Sequence, residues 1–176
     1  MIGEKRFFHS LGSLHLAVAL ADRYGEDLLK AATAGLLHDC GRLPNIEMVE
    51  AEARRRNLTL PPEERPYAKV WHALLSAEMA EHDFGVSDPE VLRAILIHPT
   101  GDADMSRFEQ IIFLADYLEP MRGFEGLNEL RKLAESDLGQ AFRCALRGKI
   151  KHVQGQGRAL HPRSLRALES VGGNLT

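Results

Sequence analysis

The apolar positions of this chain recur at helical spacing over most of its length. Phe7, Leu11, Leu14, Val18 and Ala21 follow at steps of four, three, four and three, which predicts an amphipathic first helix ending at Tyr24-Gly25. Leu28 to His38 reads as a second helix rich in Ala and Leu, and Gly41 suits a C-terminal turn after it. Pro44 fits the first turn of a polar helix from Asn45 to Arg56. Pro61, Pro62 and Pro66 break the chain before a longer helix, Tyr67 to Phe84, closed by Gly85. Ser87 followed by Glu90 has capping-box spacing and opens a helix that ends near His98, where Pro99 stops it. Ser106 and Glu109 repeat that spacing at the start of Arg107 to Leu118, and Pro120 ends this helix. Leu127 to Glu135, Asp137 to Val153 and Pro162 to Ser170 complete the pattern, with loops marked by Gly123, Gly126, Gly155 and Gly157.

No segment alternates at period two for long enough to predict a sheet. No internal repeat or linker divides the chain. The expectation is an all-α, single-domain helical bundle over residues 1–171, with a flexible tail at 172–176. A length of 176 residues suits one domain with a sizeable core. The formal charge of −3 supplies no bulk field for nucleic acid or an anionic membrane. No leader pattern or apolar run of spanning length is visible, so the reading is a soluble cytoplasmic protein without membrane or nucleic-acid partners. Cys40 and Cys144 lack Cys-x-x-Cys spacing, which argues against a zinc ribbon or a disulfide framework.

The chemistry lies in an ordered series: His9, His38-Asp39, His72, His98 and Asp116, all set in otherwise apolar helical stretches. Such groups are costly to bury unless they are paired or bind a metal. Taken singly, each His has an ordinary reading: His9 as a surface or capping residue, His72 as a packed core side chain, His98 as a helix end facing the dipole. Asp116 in Phe-Leu-Ala-Asp-Tyr resists one, because ionised Asp is rarely buried without a partner. As a series they predict a metal site. Mixed imidazole and carboxylate without thiolate points to a catalytic transition metal rather than a structural zinc. The adjacent pair His38-Asp39 can reach one cation and leave a carboxylate oxygen for a second. Gly12, one turn after His9, allows another helix to come close. His15, His82, His152 and His161 fit no such series.

These residues resemble the HD-domain phosphohydrolases, whose hallmark is an ordered His … His-Asp … Asp series. The likeness extends to the YqeK-type group, known as symmetrical bis(5'-nucleosyl)-tetraphosphatases. It is carried by Arg6 to Gly12, Leu36 to Asp39, His98 to Gly101, Met105-Ser106, Ile111 to Pro120, Arg122, Gly126 to Leu133 and Leu160 to Pro162. The resemblance implies an all-α HD fold and hydrolysis of diadenosine tetraphosphate to two ADP by a metal-bridging hydroxide. It implies two divalent transition-metal ions, commonly iron, with manganese also compatible. His9, His38, Asp39 and Asp116 would hold one ion; Asp39, His72 and His98 would hold the other. Asp39, His38 and Arg42 are the expected catalytic residues, and Arg42, Thr100, Gly101 and Arg122 the expected substrate contacts. Phe124 is expected to lie buried under its loop, with stacking on a base as the alternative. The chain departs from the group's pattern at Arg42, where Lys is common, at Pro99 in a His-Thr-Thr-Gly block, and at Gln110, another common Lys. A mononuclear HD-type nucleotidase acting on nucleoside monophosphates and a non-catalytic nucleotide-binding sensor are the rival readings. The glycine-proline signature of cyclic-dinucleotide phosphodiesterases is absent. A homodimer is compatible with either the enzyme or the sensor.

Overall fold

A computed structural model describes residues 3–59 and 61–173. Among them the chain forms nine α-helices and no strand: α1 (Glu4–Tyr24), α2 (Leu28–Leu37), α3 (Ile46–Arg55), α4 (Trp71–His82), α5 (Pro89–Ile97), α6 (Arg107–Leu118), α7 (Leu127–Ser136), α8 (Leu138–Gly155) and α9 (Pro162–Ser170). A 3-10 stretch, Pro62–Val70, precedes α4. The expected tail falls largely on 174–176, outside the described residues. No helix is long and apolar enough to cross a membrane.

Local chemistry sets most helix ends. Gly25 closes α1 in the left-handed region at φ 72°, a conformation open to glycine at little cost. Ser106 and Glu109 form the expected capping box of α6. Asp27, Asn45 and Asp137 accept hydrogen bonds from the first free N–H groups of α2, α3 and α8.

Two expectations are corrected. The helix expected from Tyr67 begins at Trp71 instead, because Pro66 lacks a donor and Tyr67 sits at a non-helical φ of −114°. Asp88, not Ser87, caps α5, since Pro89 occupies its first turn and Asp88 Oδ1 accepts from the N–H groups of Glu90 and Val91. Gly41 stands in the turn after α2, as expected, although its φ is not in the left-handed region. A Cβ there would lie 2.5 Å from the amide nitrogen of Ser76 and 2.9 Å from the carbonyl oxygen of His72. Its role is to let α4 pack backbone to backbone on the turn after α2.

The centre of the bundle is α6. Ile111, Ile112, Phe113, Leu114, Ala115 and Leu118 are all buried, so this helix is covered on every side, packed by α1, α2, α5, α7 and α8. Phe113 meets Phe142 of α8 edge to face at 5.1 Å. Gly35 brings α2 against the backbone of α1 at Leu14. A smaller cluster, Val49, Trp71 and Leu75, joins α3 to α4. Pro120 ends α6, and the Arg131 guanidinium of α7 donates to the carbonyls of Leu118 and Glu119. The end of α6 is thereby fixed beside the N-terminal part of α1.

Candidate metal centre

Five segments deliver the six expected ligands to one place. His9 comes from α1 and Asp116 from the buried α6. His38 and His98 are the residues that terminate α2 and α5. Asp39 follows His38 directly, and His72 lies in the first turn of α4. His38, Asp39, His72, His98 and Asp116 are buried.

Each imidazole is oriented by its Nδ1 atom. His38 Nδ1 donates to the Gly35 carbonyl at 2.8 Å, His98 Nδ1 to Ile95 at 2.7 Å and His72 Nδ1 to Lys69 at 2.9 Å. A carbonyl only accepts, so the Nδ1 atom of a neutral ring carries the proton and Nε2 presents a lone pair. His9 Nδ1 donates to the Glu119 carboxylate at 3.0 Å. Gly12 makes room for that carboxylate: a Cβ there would lie 2.9 Å from Glu119 Oε2.

The Nε2 atoms gather in two lobes joined by Asp39. In the first, His9 Nε2 is 3.1 Å from His38 Nε2, 3.3 Å from Asp116 Oδ1 and 3.7 Å from Asp39 Oδ2. His38 Nε2 is 3.9 Å from the same two carboxylate oxygens. In the second, Asp39 Oδ1 is 3.2 Å from His72 Nε2 and 3.6 Å from His98 Nε2, which are themselves 3.4 Å apart.

These residues fit divalent ions on two observations. Imidazole Nε2 atoms face one another at hydrogen-bond distance while the Nδ1 atoms of the same rings are committed to carbonyls or to Glu119. Asp39 Oδ1 is buried without a hydrogen-bond donor. A cation in each lobe would satisfy both, and an all-nitrogen-and-oxygen donor set suits iron, manganese, zinc or nickel.

The electrostatics differ across the site. Burial pushes His98 down to about 4, only partly opposed by Asp39. Burial likewise lowers His38. At His9 burial is outweighed by Asp116, Glu119 and Asp39, and its pKa is raised. Burial would raise both aspartates. Lys149 with His9 nevertheless holds Asp116 well below the usual carboxylate range.

Of the expected substrate contacts, Arg42 and Arg122 stand at this centre. Arg42 Nη1 donates to Asp39 Oδ2 at 2.9 Å, and Arg122 Nη2 donates to Asp116 Oδ1 at 2.8 Å. Both guanidiniums remain partly exposed, at 45% and 40%. Thr100 and Gly101 have a different setting. The buried Thr100 hydroxyl donates to the Gly101 carbonyl, and Gly101, at φ 67°, packs beside Met105 and Ala167. They form the turn that follows His98. Phe124 is 41% exposed and leans on Tyr117, rather than lying buried.

Sequence reasoning missed Lys149, Glu119 and His161. Lys149 Nζ donates to Asp116 Oδ2 and to the His98 carbonyl, both at 3.1 Å, and lies 4.5 Å from the centre of the Phe113 ring. Burial lowers its pKa against the pull of Asp116. It touches the frameworks of both lobes. His161 caps α9 and pairs with Glu64 at 2.8 Å, pinning the 3-10 stretch to α9. The other unassigned histidines, His15, His82 and His152, are exposed. Cys40 and Cys144 are free thiols.

Residues 6–121 match the family model described as HD domain. The chain is 34% identical over 160 residues to the symmetrical bis(5'-nucleosyl)-tetraphosphatase of Bacillus subtilis, covering 90% of this chain and 85% of that one. It is 31% identical to the protein of the same name from Halalkalibacterium halodurans, with 92% and 86% covered. A crystal structure of an HD superfamily hydrolase from Clostridium acetobutylicum, described as involved in NAD metabolism, superposes with a TM-score of 0.89 at 39% identity. That match covers 97% of this chain and 90% of the other. Built on the His-Asp doublet of α2 and matched nearly end to end by these relatives, the chain belongs to the HD-domain family, in its YqeK-type group.

Proposed function

We propose that the chain hydrolyses dinucleoside tetraphosphates symmetrically, converting diadenosine tetraphosphate to two ADP, with two divalent transition-metal ions bound. The observation that carries the reading is Asp39: Oδ2 faces the His9 and His38 rings, and Oδ1 the His72 and His98 rings. A centre for one ion has no use for the buried pair His72 and His98. The names and near-complete coverage of the relatives support the substrate assignment.

His9, His38, Asp39 and Asp116 would hold one ion, and Asp39, His72 and His98 the other. When bound, such ions supply positive charge for phosphate oxygens and a water of lowered pKa. The chain's residues do the rest. The Nδ1 hydrogen bonds fix the imidazoles before substrate arrives, so little reorganisation is needed. Arg42 and Arg122 each use one guanidinium face on a ligand carboxylate and keep further donors for the polyphosphate, whose charge they offset. At position 42 the planar fork of Arg offers two parallel donors where a Lys offers a point charge. Thr100 and Gly101 hold the turn after His98 and contribute to substrate binding through that wall. Iron is the first candidate metal and manganese the second.

The test is product identification. Protein loaded anaerobically with Fe(II) or Mn(II), given diadenosine tetraphosphate, yields ADP alone. ATP with AMP, or phosphate release from nucleoside monophosphates only, would overturn the reading. Metal analysis should find about two ions per chain, against one for a mononuclear nucleotidase.

A further inference from the structure

The connection between α6 and α7 sets an aromatic pair beside the first lobe. Tyr117 directly follows Asp116 in α6, and Phe124 lies in the loop between Pro120 and Gly126, the residue before α7. The two ring centres are 5.2 Å apart, with their planes at 48°. Phe124 is 41% exposed, so its ring rests on Tyr117 and keeps a large part of its surface in solvent. Gly148 of α8 makes this arrangement possible. A Cβ there would lie 2.6 Å from Tyr117 Oη, so any side chain at 148 would push the tyrosine, and the phenylalanine it supports, away from α8.

Positive charge borders the pair on the side of the metal centre. Lys149 Nζ is 6.0 Å from the Tyr117 ring centre and bonds Asp116 Oδ2. Arg122 bonds Asp116 Oδ1 and remains 40% exposed. Only two residues separate Arg122 from Phe124, at most about 7 Å of chain. A loop that carries first an accessible guanidinium and then an accessible ring repeats the order of groups in a nucleotide. The guanidinium pairs with an anionic end, and the open aromatic face takes a flat one. An apolar partner of any other shape would leave the cation beside the ring without a counter-charge.

We infer that Tyr117 and Phe124 form a stacking platform for one nucleoside of the dinucleoside substrate, with Arg122 on the adjoining phosphates. A symmetrical substrate meets this platform with either end, whereas a polyphosphate carrying a single nucleoside meets it with one end only. The inference rests on the nucleotide reading above and deepens it by naming the side chains that read a terminal nucleoside.

The experiment measures equilibrium binding of two probes to manganese-loaded protein. One is diadenosine tetraphosphate with a methylene group in place of its central bridging oxygen; the other is inorganic tripolyphosphate. In Phe124→Ala the dinucleoside probe binds about fivefold or more weakly, the loss expected for one base–aromatic stack. Tripolyphosphate binds as it does to the wild-type protein, which also shows that the metal centre and Arg122 are intact. Phe124→Trp restores the affinity, and the dinucleoside probe quenches its indole fluorescence beyond the background of the buried Trp71, while tripolyphosphate does not. Gly148→Ala, which presses on Tyr117, gives a smaller loss confined to the dinucleoside probe. Wild-type affinity for the dinucleoside probe in Phe124→Ala would overturn the platform. So would an equal loss of both probes, or an indole at position 124 that neither probe affects. The two readings fail separately. Wild-type protein that shows this binding pattern but leaves diadenosine tetraphosphate intact defeats the proposed reaction alone. Normal cleavage to ADP, with dinucleoside binding indifferent to Phe124→Ala, defeats the platform alone.

Discussion

The two lobes of the site are built from the same imidazoles but in different electrical surroundings. The first contains Asp116 and one oxygen of Asp39, with Glu119 behind His9, and Arg122 and Lys149 on Asp116. The second contains two imidazoles held only by backbone carbonyls, and the other oxygen of Asp39. A cation gains more from two carboxylates than from one. On the proposed reading the first lobe would be the tighter position, and the second the weaker one, dependent on a shared ligand. Two ions held in this way would load and leave in steps.

The largest effect should come from the group common to both lobes. Asp39→Ala removes a ligand from each position and leaves Arg42 without its partner. Metal content should fall to near zero, and hydrolysis of diadenosine tetraphosphate should disappear. A metal-replete, fully active Asp39→Ala protein would end the two-lobe description.

Next in size are substitutions confined to one lobe. His98→Ala should retain about one ion per chain, lose roughly a hundredfold or more in turnover, and bind its remaining ion almost as tightly as the parent. Asp116→Ala should weaken binding of the tighter ion. Metal analysis after graded chelation separates the cases. Equal losses from both variants would erase the asymmetry.

Smaller changes follow from Glu119, which acts through His9. Glu119→Gln keeps the shape and removes the charge, and should lower affinity for the first ion by about 10- to 100-fold while sparing the second. Gly12→Ala should mimic it more weakly, because the new Cβ would press on Glu119 Oε2 at 2.9 Å. Competition with a metal-sensitive dye reads both.

The smallest effect concerns protons. The raised pKa of His9 means that its ring holds a proton at higher pH than an ordinary imidazole, and a cation must displace it. His98, at about 4, is already neutral at pH 7. Filling the first lobe near neutrality should release up to about one proton, and filling the second fewer. As pH falls, competition therefore begins at His9 before His98. Calorimetry in two buffers of different ionisation enthalpy checks this. His98→Ala should keep the proton-releasing phase.

The helices and the six residues that gather at the centre were legible in the sequence because both are written locally. Helical periodicity, Gly25 and the Ser106–Glu109 box are signals within a few residues of what they control. The ligands stand out as costly groups in apolar surroundings. The 3-10 stretch was less legible, since apolar spacing around Tyr67 and Val70 continues that of α4 and only the φ at Tyr67 breaks it. Lys149 and Glu119 were illegible for another reason. Each is an ordinary charged residue near a helix end or on a mixed face, and its meaning lies in a partner many positions away: Asp116 for Lys149, His9 for Glu119.

Gly41 bears on how such a centre changes over time. Because main chain touches main chain where α4 meets the turn after α2, the gauge between the position served by His38 and the one served by His72 is fixed by the backbone rather than by rotamers. Swapping ligand types can retune which ion is held. Widening or narrowing the separation of the two rings demands moving an entire helix, so substitution at these positions would change donor type far more readily than donor spacing.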